Sequence, residues 1–314
     1  MKFSKALFIG IDESQIGPSY WKRIDSLIQK KVSLPKDSSK IAENLKDTVC
    51  LLVGFGVTVT KGDIDSSPNL KYIGVLATAY GKVDANYAKK KGITVCNLPG
   101  YSTESVAEFV LAVMLEHIRG LEIGKRRGRA LNVSEAGIST IEIKNKVFGI
   151  IGLGNIGTRV AQLAYGFNAD VRYWSKNRKK DIEKKGIKYE SLDSLISKAD
   201  FLSLHLAQTS ETERIINQKR FQALKKGAIV VNTAPMDLID LDALLKRLAK
   251  KEITFILDHS DEMSAEDLKK LSRYKNCIIY PPMAYITPEA ALNKQEMFTS
   301  NIENFVKGKP VNAV

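Results

Sequence analysis

The sequence is poor in the side chains that most often announce a chemistry: among 314 residues there are three cysteines (Cys50, Cys96, Cys277) and three histidines (His117, His205, His259). The cysteines are odd in number, far apart and without paired spacing, which argues against a disulfide framework and a zinc site and predicts reduced, buried thiols. No metal is expected. Long apolar runs are also missing. The longest uncharged stretches, 48–60 and 276–288, fall short of the ~18 residues that a spanning helix needs, so no membrane span is expected. The apolar run Ala6–Ile11 meets Asp12 too soon to be the core of a signal peptide and reads as a first strand. These absences point to a cytoplasmic protein.

What is present fits a soluble globular chain about twice the usual domain size, with 44% hydrophobic and 26% charged residues. The net charge of +13 raises the question of nucleic acid. The lysines are spread along helical surface positions, as in Lys89-Lys90-Lys91 and Lys179-Lys180, and the one compact run, Lys125 to Arg129, reads as ordinary surface charge. A solvated basic surface is expected, with no nucleic-acid partner.

The first hundred residues alternate short apolar runs with amphipathic stretches. Ala6–Ile11, Val49–Gly54, Tyr72–Ala77 and Ile93–Leu98 are predicted strands, which implies a parallel sheet with helices on both faces. From Thr103 to about Gly120 the apolar residues Val106, Phe109, Val110, Val113 and Met114 recur at helical spacing, predicting a long helix that bridges two domains. A second array follows: Val147–Ile151, Asp170–Trp174, Phe201–His205, Ala228–Thr233, Thr254–Asp258 and Cys277–Tyr280. Six strands with intervening helices make a full doubly wound sheet. Residues 287–307 read as a last helix, folding back onto the first domain.

Gly152-Leu153-Gly154-Asn155-Ile156-Gly157 follows the first strand of that second array and opens a helix. Gly152 permits the tight turn, Gly154 lets backbone approach a pyrophosphate, Gly157 lets helix and strand pack closely, and the helix N-terminus favours negative charge. Alone, G-x-G-x-x-G is unspecific. Between a strand and a helix, inside six alternating strands, it marks a dinucleotide site. An NAD site usually places a carboxylate at the end of the next strand. Here that strand ends Trp174-Ser175-Lys176-Asn177-Arg178, and a hydroxyl followed by two cations suits a 2′-phosphate, favouring NADP(H) over NAD(H). If Lys176 and Arg178 are only solvated surface charges, NAD can still bind.

Three sets of residues carry a family resemblance. They are Ala77-Thr78-Ala79-Tyr80-Gly81-Lys82-Val83-Asp84 and Asn97 to Glu108; the glycine turn; and Leu204-His205-Leu206-Ala207-Gln208-Thr209-Ser210-Glu211-Thr212 with Val231-Asn232-Thr233-Ala234 and Leu257-Asp258. On these the chain resembles the D-2-hydroxyacid dehydrogenases over nearly its whole length. The resemblance implies two doubly wound α/β domains. One is a flavodoxin-like substrate domain of residues 1–101 and 287–314, and into it is inserted a Rossmann dinucleotide domain of residues 102–286. It also implies an active-site cleft at their junction and a homodimer. It puts Ala77, Thr78, Ala79 and Lys82 in the substrate loop. It puts His205, Leu206, Ala207, Thr212, Thr233, Ala234 and Asp258 against the cofactor, Asp258 at the nicotinamide carboxamide.

The family's chemistry rests on an arginine that holds the substrate carboxylate, a histidine acid/base and a glutamate that orients it. By the resemblance those positions hold Pro235, Pro282 and Met263, with Met236 where glycine is usual, and none of them can bind a carboxylate or exchange a proton. The substrate loop also departs, with Ala79 and Gly81-Lys82 in place of the usual Gly and Asp-Asn. Hydride transfer would then need relocated groups. His259, in Asp258-His259-Ser260-Asp261-Glu262 at a strand's carboxyl end, is the candidate acid/base, against the plainer reading that it caps the strand end through a backbone hydrogen bond. Lys82 is the candidate cation for an acidic substrate. His205 reads as structural and His117 as packed or solvated. The alternatives are a dinucleotide-binding sensor or interaction protein without redox chemistry, or a fold reused for another adenosine-containing ligand.

Overall fold

The computed structural model describes residues 2–314. Two compact units divide them, one of residues 2–102 with 287–314 and the other of residues 103–286. In the first unit, β1 (Phe3–Ile9), β2 (Ile28–Leu34), β3 (Cys50–Val53), β4 (Tyr72–Val75) and β5 (Thr94–Cys96) form one all-parallel sheet in the order β2-β1-β3-β4-β5. Successive side chains face opposite ways, as the strand period of two requires. Ala6 and Phe8 join an apolar cluster with Leu52, Tyr72 and Phe298, whereas Leu7 and Ile9 join another with Leu51, Ile73 and Val95. Both faces are therefore covered, as a parallel sheet demands.

β1 ends at Ile9, short of the expected Ile11, because Gly10 turns the chain with φ +65°. No strand was expected over 28–34. β2 is an edge strand whose Gln29, Lys30 and Lys31 face solvent, so its sequence carries little apolar signal; exposed lysines also discourage pairing with a foreign strand. The last helix, Pro288–Val306, packs on this unit's core through Phe298 and Ile302. It opens where Thr287 Oγ1 accepts from the Ala290 amide at 3.1 Å, with proline at the first turn.

The second unit carries β6 (Val147–Ile151), β7 (Asp170–Trp174), β8 (Lys188–Tyr189), β9 (Phe201–Leu204), β10 (Ala228–Asn232), β11 (Ile253–Leu257) and β12 (Cys277–Ile279). All pair in parallel in the order β12-β11-β10-β9-β6-β7-β8. The two-residue β8 was not expected; it only lengthens one edge. The chain winds outward from β6 in one direction and then returns to β9 on the other side, so β6 and β9 flank the topological switch point, where ligands bind at the carboxyl ends of such sheets. The helix Thr103–Ile118 lies within this unit and packs Ala107, Val110 and Met114 against Val160, Ala161 and Ala164 of the helix Asn155–Gly166. Arg159 Nε and Nη2 grip Glu104 at 2.6–2.9 Å beside that contact. The three cysteines are free and buried, and among the described residues no helix is long and apolar enough to cross a membrane.

Candidate functional site

The turn 152–157 is built from backbone close to backbone. Gly152 has φ +94°, and a Cβ there would meet the His205 carbonyl oxygen at 2.5 Å; a Cβ on Gly157 would meet the Gly152 carbonyl oxygen at 2.0 Å. No other residue fits either position without moving the chain. The Gly152 amide donates to the Trp174 carbonyl at 2.8 Å and the His205 amide to the Ile151 carbonyl at 2.8 Å, which fixes the turn between the ends of β7 and β9. Gly154 differs: nothing lies within 4 Å of where its Cβ would be. It is the N-cap of the helix Asn155–Gly166 and offers no side-chain cap. Open space thus lies beside the helix's N-cap, where no side chain competes for the first amides, and that arrangement fits a pyrophosphate.

The residues expected at the adenosine end follow β7. Trp174 packs partly against the core under β9 and β10, and Ser175 is buried, its hydroxyl donating to the Asn177 carbonyl at 2.6 Å. Lys176 Nζ pairs with Glu211 at 2.6 Å, and Arg178 pairs with Glu183 at 2.5 Å while its guanidinium lies 4.8 Å from the Tyr189 ring centre. The Arg178 fork holds the Glu183 carboxyl below the usual range. Both cations are thus paired, but their side chains remain 73% and 55% exposed. Ion pairs this solvated contribute ~0–1 kcal/mol and exchange readily for another anion.

Around the carboxyl edge of the same sheet, His205 Nε2 lies 2.8 Å from Ser203 Oγ, and its Nδ1 is buried with no partner. Burial pushes this imidazole down to about 3, so it is neutral near pH 7. Leu206 packs on the core, and Thr212 Oγ1 donates to the Ala207 carbonyl at 2.7 Å and accepts from the Thr209 amide at 2.8 Å, closing the 207–212 loop on itself. Thr233 and buried Ala234 follow β10, the latter's amide bonded to Asn232 Oδ1 at 3.1 Å.

Asp258 is 2% exposed. Its Oδ1 accepts from the amides of Met283 and Ala284 at 2.9 and 3.1 Å, and Oδ2 takes part in neither bond. Burial raises its pKa, against those two amides, which favour the carboxylate. The resemblance implies only a ligand contact for Asp258; pinning the segment after β12 is a second task that no side-chain pattern signals, since the partners are amides.

His259 is oriented by no backbone hydrogen bond through Nδ1. That atom is buried and unbonded, with carboxylate oxygens of Glu262 and Asp261 at 3.8 and 3.9 Å. Nδ1 therefore makes no strand-end cap. Of the other histidines, burial lowers His117 on the helix Thr103–Ile118 and holds His205 neutral. Pro235 starts the short turn Met236–Leu238, Met263 packs on the core, and Pro282 is half-buried directly before Met283.

In the first unit, Ala77 is buried and Thr78, Ala79 and Lys82 are exposed past the end of β4. Thr78 Oγ1 donates to the Leu98 carbonyl at 2.7 Å and Asn97 Nδ2 to the Thr78 carbonyl at 2.7 Å, tying this loop to the segment after β5. One ammonium in this unit was missed in the sequence: Lys294, half-buried beside Tyr101. Its signal is a cation in the row Ala290, Lys294, Phe298, Ile302, where the other members are buried and apolar.

The chain's relatives agree with this geometry. Residues 111–284, more than half the chain, match the family described as D-isomer specific 2-hydroxyacid dehydrogenase, NAD binding domain. A hydroxypyruvate reductase of Blautia hydrogenotrophica is 33% identical over 260 residues, 80% of each chain. The structure of a D-lactate dehydrogenase from Aquifex aeolicus with NAD and lactic acid superposes with a TM-score of 0.85 at 28% identity, over 97% of this chain and 96% of that one. An acyclic imino acid reductase in complex with NADPH and D-Arg superposes at 0.86 with 26% identity, over 98% and 99%. With a glycine turn of the required shape at the switch point of a doubly wound sheet, this chain belongs to the D-2-hydroxyacid dehydrogenase family and carries its NAD-binding domain.

Proposed function

We propose that this protein is an NADP(H)-dependent reductase whose substrate carries a C=N bond, a small 2-imino acid, in place of the 2-keto acid usual for the family. One observation carries the reading: the positions expected to supply a carboxylate clamp, a proton donor and its orienting acid are Pro235, Pro282 and Met263. Reduction of a carbonyl needs a proton on oxygen as the hydride arrives, and a missing general acid removes ~10²–10⁴-fold in rate. An iminium already holds its proton on nitrogen, so the demand on a general acid falls to the low end of that range. The similarity to an acyclic imino acid reductase with NADPH supports the choice.

When bound, the dinucleotide supplies the hydride for the imine carbon. The chain's residues do the rest: Gly152, Leu153, Gly154, Asn155, Ile156 and Gly157 seat the pyrophosphate at the helix N-terminus, and Ser175, Lys176 and Arg178 bind the 2′-phosphate next to Trp174. His205, Leu206, Ala207, Thr212, Thr233 and Ala234 line the cofactor, with Asp258 toward the carboxamide. Ala77, Thr78, Ala79 and Lys82 form the substrate loop. His259 keeps the proton on the substrate nitrogen, with carboxylate oxygens of Asp261 and Glu262 at 3.9 and 3.8 Å from its Nδ1. As the C=N π bond opens, its electron pair stays on nitrogen and the product leaves as an amine.

The protein acts as a cytoplasmic homodimer. In the segment after the helix Thr103–Ile118, Leu131 is 90% and Val133 99% exposed, with Leu121, Ile123 and Ile141 also outside the core, a concentration of apolar side chains that favours burial against a second copy. The test is a substrate panel: NADPH oxidation with glyoxylate, pyruvate and hydroxypyruvate, each with and without ammonia or methylamine. Turnover that requires the amine supports the reading. Equal turnover without it refutes the reading.

A further inference from the structure

The first unit has a switch point of its own. Its chain passes from β1 outward to β2 and then returns to β3 on the other side of β1, so β1 and β3 flank the place where a doubly wound sheet receives ligands at its carboxyl edge. At that edge the segments after β1 and β2 border a groove of about 610 Å³, inside the range of ~300–1,000 Å³ usual for small-molecule sites. No residue of the glycine turn 152–157 or of the 77–82 loop lines it.

Backbone geometry fixes the groove, and two kinds of surface line it. Gly10 turns the chain after β1 at φ +65°, and its amide donates to the Leu34 carbonyl at 2.9 Å, which joins the two bordering segments. A Cβ on Gly10 would meet Lys36 Cγ at 2.6 Å, so the lysine's stem lies across the glycine, and its Nζ donates to the Phe55 carbonyl after β3 at 2.5 Å. That bond uses one of the ammonium's three donors. Ile11 and Trp21 are buried and supply an apolar wall. The indole Nε1 donates to the Glu13 carbonyl at 3.2 Å, so Trp21 offers the groove only its ring.

The charges in this groove differ from those around it. Elsewhere in the same unit Lys5 pairs with Asp47, Lys31 with Asp25 and Lys91 with Asp65. Lys36, Asp12 and Glu13 line the groove, and none of them forms an ion pair with a described residue. Asp12 Oδ1 accepts from the Ser14 hydroxyl and, at 2.8 Å, from the Ser14 amide; these bonds hold the carboxyl below its usual range and do not involve Oδ2. Two carboxylates from the segment after β1 and an ammonium from the segment after β2 thus share one groove without neutralising each other. A ligand of one charge sign meets repulsion from one of these groups, whereas a zwitterion is attracted by both.

We propose that this groove binds a zwitterionic α-amino acid with an apolar side chain. Its carboxylate sits on the Lys36 ammonium, its ammonium on Asp12 and Glu13, and its side chain against Ile11 and Trp21. Hydrogen bonds between ionised groups are roughly twice as strong as neutral ones, and holding both ends of a small molecule fixes its orientation. Charges that are merely solvated would show no preference for both signs on one molecule. The site stands apart from the reductase reading, since none of its residues belongs to the proposed cofactor or substrate sets.

Calorimetric titration of the purified protein with each enantiomer of leucine tests the assignment. The controls are 4-methylpentanoate, which lacks the ammonium, and isopentylamine, which lacks the carboxylate. At least one enantiomer should bind about tenfold or more tighter than either control. Lys36→Met and the pair Asp12→Asn/Glu13→Gln should each weaken leucine about tenfold, while Lys36→Arg keeps binding within about threefold. Asparagine still caps the short turn that opens at Asp12, so the acidic pair is neutralised with that turn intact. Lys82→Ala should leave leucine binding unchanged, and NADP⁺ affinity should not move in any variant. No saturable binding of either enantiomer, controls as tight as leucine, or neutral variants within about twofold of wild type would each overturn the assignment. So would loss of leucine binding in Lys82→Ala, which would put the amino acid at the substrate loop. Failure of the amine-dependent substrate panel would leave the leucine result standing.

Discussion

The turn 152–157 and the three positions Pro235, Met263 and Pro282 follow strands of one sheet, yet different physics governs them. At the turn, a Cβ on Gly152 or Gly157 would collide with main-chain oxygens, so the backbone itself dictates the residue. At the other three positions the side chains start a short turn, pack on the core or lie half-buried, and the architecture accepts apolar groups there without distortion. Where the cofactor goes is written into sterics. Which bond is reduced is written into exchangeable side chains, so a fold can keep the first while changing the second.

The comparison breaks most visibly at the glycines. Gly157→Ala should abolish dinucleotide binding and destabilise the unit by several kcal/mol, because its Cβ would sit 2.0 Å from a backbone oxygen that cannot step aside. Gly154→Ala, with open space and φ −78°, should leave the melting temperature within a degree or two and weaken only cofactor affinity. Equal melting losses in the two variants would contradict the division between a packing glycine and a ligand-facing one.

His259→Gln tests the chemical side. Turnover of the imine should fall on the order of 10²-fold, the low end for a lost acid/base, with cofactor affinity unchanged. Unchanged turnover would remove His259 from the mechanism. A smaller effect is expected at the adenosine end: if the proposed 2′-phosphate contact holds, Lys176→Ala/Arg178→Ala should weaken NADPH about tenfold and leave NADH unaffected. NADH binding as tight as NADPH in the wild type would end the NADP preference.

The smallest effect calibrates the rest. Arg23 joins Glu296 and Glu303, linking the helix Pro18–Asp25 to the helix Pro288–Val306. The Arg23 hydrogen bonds hold Glu296 down to about 2. A depressed carboxylate contributes stability above its unfolded pKa of ~4.3 and loses it as pH falls toward the folded value. Glu296 is half-exposed, so screening keeps the contribution under ~1 kcal/mol. Arg23→Gln should flatten the melting temperature's acid dependence between about pH 4.5 and 2 by that small amount.

The sequence made most of this legible where burial is two-sided. Strands such as Ala228–Asn232 are wholly apolar or enclosed and stand out at once. β2 stayed hidden because IQKKVSL is an edge strand with its middle in water, and β8 because two residues have no period. The glycine turn was legible in full, because its constraint is steric and local. Asp258's grip on the Met283 and Ala284 amides was not, since every residue but proline offers an amide. Lys294 escaped for the opposite reason: a lysine among polar neighbours in a helix looks solvated until the row it occupies is known to be buried.

The claim that the site reduces C=N in preference to C=O is tested most directly by one competition. Pyruvate and methylamine are mixed with [4-²H]NADPH and the purified protein, and the deuterium in the products is located by mass spectrometry. The account predicts deuterium on the α-carbon of N-methylalanine and almost none in lactate. Deuterium chiefly in lactate would mean that a carbonyl is protonated and reduced here despite Pro235, Met263 and Pro282, and would contradict it.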